Sequence, residues 1–172
     1  MTILKIIISL AIVLLTAYIG NQKAVSLKKR EYILREMVTF LKLVEDEIRY
    51  CLSILPNAYE ASRQKLTTDL KIAIGQITVD MINFENLNYV DKSIVDNISK
   101  LNELTEYDKD VFISTLKNLG RSDLDSQINI IDNTVNILEN QIKEANENKL
   151  KNSKMYRTVG MVTGLMIVVI FI

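Results

Sequence analysis

Apolar residues recur along much of this chain every three or four positions, the spacing that places them on one face of a helix. From Ile33 the stripe runs Ile33, Met37, Leu41, Val44, Ile48, Cys51 and Leu55. No Pro precedes Pro56, so the first helix is predicted to run as one rod to about Leu52, with Cys51 packed on the stripe as a core residue. Ser53 is a candidate cap, and Pro56 suits the first turn of a short helix along NAYEASRQKL. Leu70, Ile74, Ile77, Met81 and Phe84 mark another helix with Gly75 inside it, and Ile94, Ile98 and Leu101 a further turn or two. Thr105 with Asp108 three residues on resembles a capping box, opening a helix along Tyr107, Val111 or Phe112, Leu116 and Leu119 that Gly120 closes.

Ser122, followed by Asp123 and Asp125, is predicted to start the last helix, because acids favour a helix N-terminus. Its stripe is Leu124, Ile128, Ile131, Val135, Leu138, Ile142 and Ala145, at heptad spacing from Ile128 on. The pattern predicts an all-α chain whose body is a bundle of about six helices, the first and last long and antiparallel. Met37, Leu41 and Val44 are expected to face Ile131, Val135 and Leu138 across an inter-helix seam.

Two stretches are apolar without periodicity. Ile6 to Ile19 and Val159 to Ile172 carry no charge; the first, extended by Thr2 to Lys5, approaches the roughly 20 residues that a membrane-spanning helix needs, and the second must recruit Met155 and Tyr156, thin the bilayer or tilt little. For the first, a secretory signal peptide is the competing reading; a single Lys at its start and the lack of a small-x-small cleavage site weigh against it. For the second, which is short, the competitor is a buried soluble helix. The expected organisation is a transmembrane helix over 1–20, a helical bundle over 21–157 and a second transmembrane helix over 158–172. Small residues at Ala17, Gly20 and Ala24, and the GxxxG of Gly160 and Gly164, read as positions of close helix packing, against either the other span or another molecule.

Charge adds a direction to this picture. All 21 acidic residues lie between Glu31 and Glu147, among 12 basic ones, which leaves that window at −9. The other nine basic residues flank the apolar stretches, among them Lys28, Lys29 and Arg30 after the first and Lys151, Lys154 and Arg157 before the second. Lys and Arg close to a span stay on the cytoplasmic side, so residues 21–157 are expected to be cytoplasmic. An acidic body is a poor ligand for phosphate backbones, and nucleic acid is discarded as a partner.

Little in the chain could do chemistry. There is no His and a single Cys, so the usual zinc, haem or iron–sulfur ligand sets cannot be assembled. Glu45, Asp46 and Glu47 are adjacent and cannot share one helix face, while Asp108 and Asp110 sit where a helix dipole accounts for them. No glycine-rich phosphate loop or nucleophile elbow is present. The chain is expected not to be an enzyme, with no cofactor and no small-molecule substrate.

Four segments in order, AYIGNQKA, REMVTFLKLVEDEIRY with LP following, LKNLGRSD with Gln127, and KNSKMYRTVGMVTG, give the chain a resemblance to the stage III sporulation protein AB family. The resemblance implies a cytoplasmic helical bundle similar to the domain of type II secretion F proteins. It also implies a place in the channel complex between mother cell and forespore of endospore formers, in the mother-cell membrane beside a secretion-type ATPase, and no catalytic residues. The leading functional expectation is a membrane scaffold that holds such an ATPase. The competitor is a signalling or regulatory adaptor whose coiled-coil seam transmits a shift between the spans.

Overall fold

In the computed structural model the backbone is described for residues 2–84 and 86–171, and side chains for residues 11, 14–84, 86–156, 158–164 and 166–168. The described residues form six helices and no strand: α1 (Thr2–Arg49), α2 (Leu55–Arg63), α3 (Asp69–Asn83), α4 (Leu87–Ser99), α5 (Glu106–Asn118) and α6 (Leu124–Phe171). They divide into two compact units, one made of residues 1–31 and 144–172, the other of residues 32–143.

In the 32–143 unit the helices pack in sequence order, α2 on α3, α3 on α4 and α4 on α5. The core is closed by Phe40 of α1, whose ring meets Tyr59 of α2 edge-on at 5.1 Å and Phe112 of α5 at 6.2 Å. Met37, Leu41, Val44, Ile131, Val135 and Leu138, the six residues of the expected seam, are all buried in this unit. Between α1 and α6 a surface ion pair joins Lys42 to Glu139 at 3.6 Å. The hydroxyls of Tyr59 and Ser62 are buried without a hydrogen-bond partner among the described residues, and burial pushes the Tyr59 phenol up.

Local chemistry sets the helix ends. Thr105 and Asp108 form the reciprocal capping box at the start of α5, and Gly120, at φ 77°, takes the left-handed turn that ends it. The first turn of α6 is held by Asp123 rather than Ser122: its carboxylate accepts the Ser126 N–H at 3.0 Å and the Ser126 hydroxyl at 2.7 Å. Ser53 likewise caps nothing, since its hydroxyl is spent on the Glu47 carboxylate at 2.8 Å and Ile54 precedes α2.

Cys51 is exposed, contrary to the core position its place on the stripe predicts. Helix α1 stops at Arg49 and Leu52 turns into the left-handed region at φ 51°, so the 3.6-residue period no longer carries Cys51 onto the buried face.

In the other unit α1 and α6 run antiparallel: Glu31 pairs with Lys149, and Gly20 meets Gly160 further along. A Cβ on Gly20 would stand 3.2 Å from the Gly160 Cα, a separation that only two glycines allow. Among the described residues no helix is long and apolar enough to cross a membrane. Of the two stretches expected to span, residues 6–10, 12, 13, 165 and 169–172 have side chains outside the described set.

Candidate functional site

One end of the 32–143 unit is built as an apolar groove. Pro56 at the start of α2, Phe84 after α3, Leu87 and Val90 of α4 and Leu119 after α5 line a cavity of about 260 Å³. Leu55 reaches across it, and a Cβ on Gly120 would lie 3.0 Å from the Leu55 Cδ2. The LP and LG pairs, which lie far apart in the chain, therefore close on one another. Phe84, the residue after α3, stacks on Tyr89 of the first turn of α4 at 5.5 Å between ring centroids.

The turn that shapes this end is held by side chains. Gln127 accepts the Gly120 N–H at 2.9 Å and donates to the Ser122 carbonyl at 2.8 Å, so it bridges both sides of the Gly120–Ser122 turn. Arg121 ion-pairs with Asp91 of α4. The Ser126 N–H and hydroxyl hold the Asp123 carboxyl below its ordinary range. The segment leading into the groove, Tyr50 to Ile54, exposes Tyr50, Leu52 and Ile54, with Leu52 at 78% of its full accessibility. A leucine at positive φ costs about 1–2 kcal/mol, and strain of this kind clusters at functional sites.

A second constellation fastens α1 to the start of α3. Glu36 is buried, and its carboxylate accepts the N–H and hydroxyl of Thr67, each at 2.7 Å, the Thr68 N–H at 3.1 Å and the Thr68 hydroxyl. Burial raises the Glu36 pKa, but the hydrogen bonds from Thr68 and Thr67 outweigh it and hold the carboxyl below its usual range.

In the unit formed by residues 1–31 and 144–172, Gly20, Ala24 and Gly164 are buried and Ala17 and Gly160 half-buried. Gly20 and Gly160 are thus brought together within one chain. Lys28, Lys29, Lys151 and Lys154 are exposed, and the Arg157 side chain lies outside the described residues. Arg30 differs from the other bases: it is buried and ion-paired with Glu144 at 3.5 Å, so it helps to hold α6 to α1. The unit carries nine basic and three acidic residues, a net +6, against 12 basic and 18 acidic residues, a net −6, in residues 32–143.

The reading of the sequence by helical period found neither the groove nor the Glu36 clamp. The one signal it held was CLSILP, an apolar run around a helix break where a solvated loop would be polar.

Neither the curated proteins nor the solved structures contain a match to the chain. The family model of stage III sporulation protein AB matches residues 5–172, nearly the entire sequence, and the chain therefore belongs to the stage III sporulation protein AB family.

Proposed function

We propose that this chain is a non-enzymatic membrane scaffold of a secretion-like transenvelope channel complex in endospore formation, one that places a cytoplasmic ATPase at the membrane. Membership of the family implies a role in stage III of sporulation, and the division of charge carries the rest of the reading. The unit holding both apolar ends is at +6 and exposes Leu14, Leu15, Tyr18, Val159, Met161 and Met166. Exposed aliphatic side chains beside Lys and Arg match a lipid interior beside anionic headgroups, where each base near the surface contributes about 1 kcal/mol. The unit at −6 then lies on the cytoplasmic side, where basic residues hold it. Its apolar groove receives a helix of the ATPase, whose apolar side chains fill the groove and whose basic residues meet the acidic body.

Alkaline carbonate extraction of sporulating cells, followed by co-purification from solubilised membranes, tests both halves. The chain stays with the membrane, and the ATPase and channel components come with it. Leu87→Asp, a change at an exposed rim position, loses the ATPase while the chain still folds and remains in the membrane. Release by carbonate sinks the membrane root. Recovery with a kinase or regulator in place of the ATPase would favour the adaptor.

A further inference from the structure

Leu52 strains the backbone and packs against nothing in the core. It sits in the left-handed region at φ 51°, a conformation that glycine or asparagine adopts readily and leucine does not. Among the described residues it is the most exposed of the large apolar side chains. The turn that carries it is nevertheless braced. Ser53, next in the chain, hooks back to Glu47 of α1 twice, its N–H donating to the carbonyl at 3.1 Å and its hydroxyl to the carboxylate at 2.8 Å. These two bonds satisfy the polar groups of Ser53 and fix the turn, so the leucine is presented to solvent from a held backbone.

We propose that Leu52 is an anchor residue of the docking surface, seated against the apolar face of the same partner helix that fills the groove; this rests on the docking of the ATPase put forward under Proposed function. The apolar surface is continuous from one to the other. Ile54 is exposed, Leu55 and Pro56 line the groove, and the exposed Phe84 and Leu87 line it with them. Charge selects the chemistry of the occupant. Residues 45–56, 84–94 and 116–125, the three segments that build this end of the unit, hold seven acidic and four basic residues, a net −3. A helix that buries apolar side chains along the groove and carries Lys or Arg on its flanks fits both features, whereas an anionic surface is repelled. An anchor already braced in the free chain needs little ordering when the partner arrives, and local strain of this kind is what such preorganisation costs the fold.

Co-purification of the full-length chain with the ATPase from solubilised membranes of sporulating cells tests this with three substitutions that separate strain from contact. Leu52→Gly and Leu52→Asn accept the left-handed turn and remove the apolar side chain, whereas Leu52→Met keeps the strain and an apolar side chain of similar size. For the first two, the melting temperature of the purified chain is expected to hold or rise by roughly 2–4 °C. The ATPase recovered per chain falls roughly tenfold, the loss expected when one leucine-sized contact disappears. Leu52→Met melts with wild type and retains the ATPase to within about twofold. Stability and binding thus move in opposite directions, which a purely structural role for the leucine would not produce. Wild-type recovery of the ATPase by Leu52→Gly and Leu52→Asn, with Leu87→Asp still losing it, would overturn the anchor and leave the groove docking in place. A melting temperature that falls in both would make Leu52 part of the fold and overturn the anchor as well. A wild-type chain that brings no ATPase would overturn both the anchor and the docking.

Discussion

Gly20 and Gly160 stand face to face, and a Cβ on Gly20 would come within 2.5 Å of the Tyr156 carbonyl oxygen while one on Gly160 would come within 2.7 Å of that of Thr16. Both obstacles are backbone, which cannot step aside as a side-chain end can. Gly20→Ala or Gly160→Ala therefore forces α1 and α6 apart in this unit, at about 1–3 kcal/mol. Gly160→Leu goes further and is expected to weaken assembly while residues 32–143 remain folded. Cross-linking between cysteines placed on the two helices, read beside circular dichroism, checks both effects. Unchanged cross-linking in both variants would mean that the close approach contributes nothing.

The buried Glu36 carboxylate makes the stability of the 32–143 unit depend on acid. Its folded-state pKa is depressed, so its contribution is fully present above the ordinary carboxylate range and is lost as pH falls through the lowered value. Glu36→Ala leaves the Thr67 and Thr68 N–H groups without their acceptor and is expected to cost about 1–3 kcal/mol per unsatisfied group at pH 7. Urea melts of wild type and Glu36→Gln at neutral and strongly acid pH provide the measurement. The gap between them narrows in acid; a gap that stays constant would show that the charged form contributes no more than the neutral amide.

Along the seam, burial ranks the substitutions. Leu41 is fully buried, so Leu41→Ala is expected to cost about 2–5 kcal/mol. Val135→Ala removes fewer atoms from a position that is nearly as buried, and costs less. Asn133, two residues before Val135, is exposed, and Asn133→Ala stays within about 0.5 kcal/mol. Thermal melts of the three variants decide the matter, and equal losses at Val135 and Asn133 would mean that the seam is not packed.

Topology is open to chemical labelling. Asn88 is exposed in the 32–143 unit, so Asn88→Cys in a Cys51→Ser background offers an accessible thiol. With a cytoplasmic body, an impermeant maleimide added to intact cells leaves it unmodified and labels a cysteine placed near Met1. Labelling at Asn88 from outside reverses the orientation.

What the sequence determined by itself is what depends on near neighbours along the chain. The α5 capping box needs only Thr105 and Asp108, three residues apart, and the left-handed end at Gly120 needs only a missing Cβ. The buried stripe of α1 and the seam half of α6 follow from a 3.6-residue period that either element displays alone. The family was legible too, because its segments are short local strings. Only the tertiary structure decided what depends on partners distant in sequence. Glu36 reads as one more surface acid until the fold brings Thr67 and Thr68 to it, and Arg30 reads as a headgroup base until Glu144 arrives from α6. Leu55 and Gly120 close a groove that neither helix contains, and Gly20 finds Gly160 where GxxxG alone left the partner open. Cys51 shows the limit most directly, since a periodic pattern cannot report where its own helix stops, and one left-handed leucine after the last turn sends the thiol to solvent.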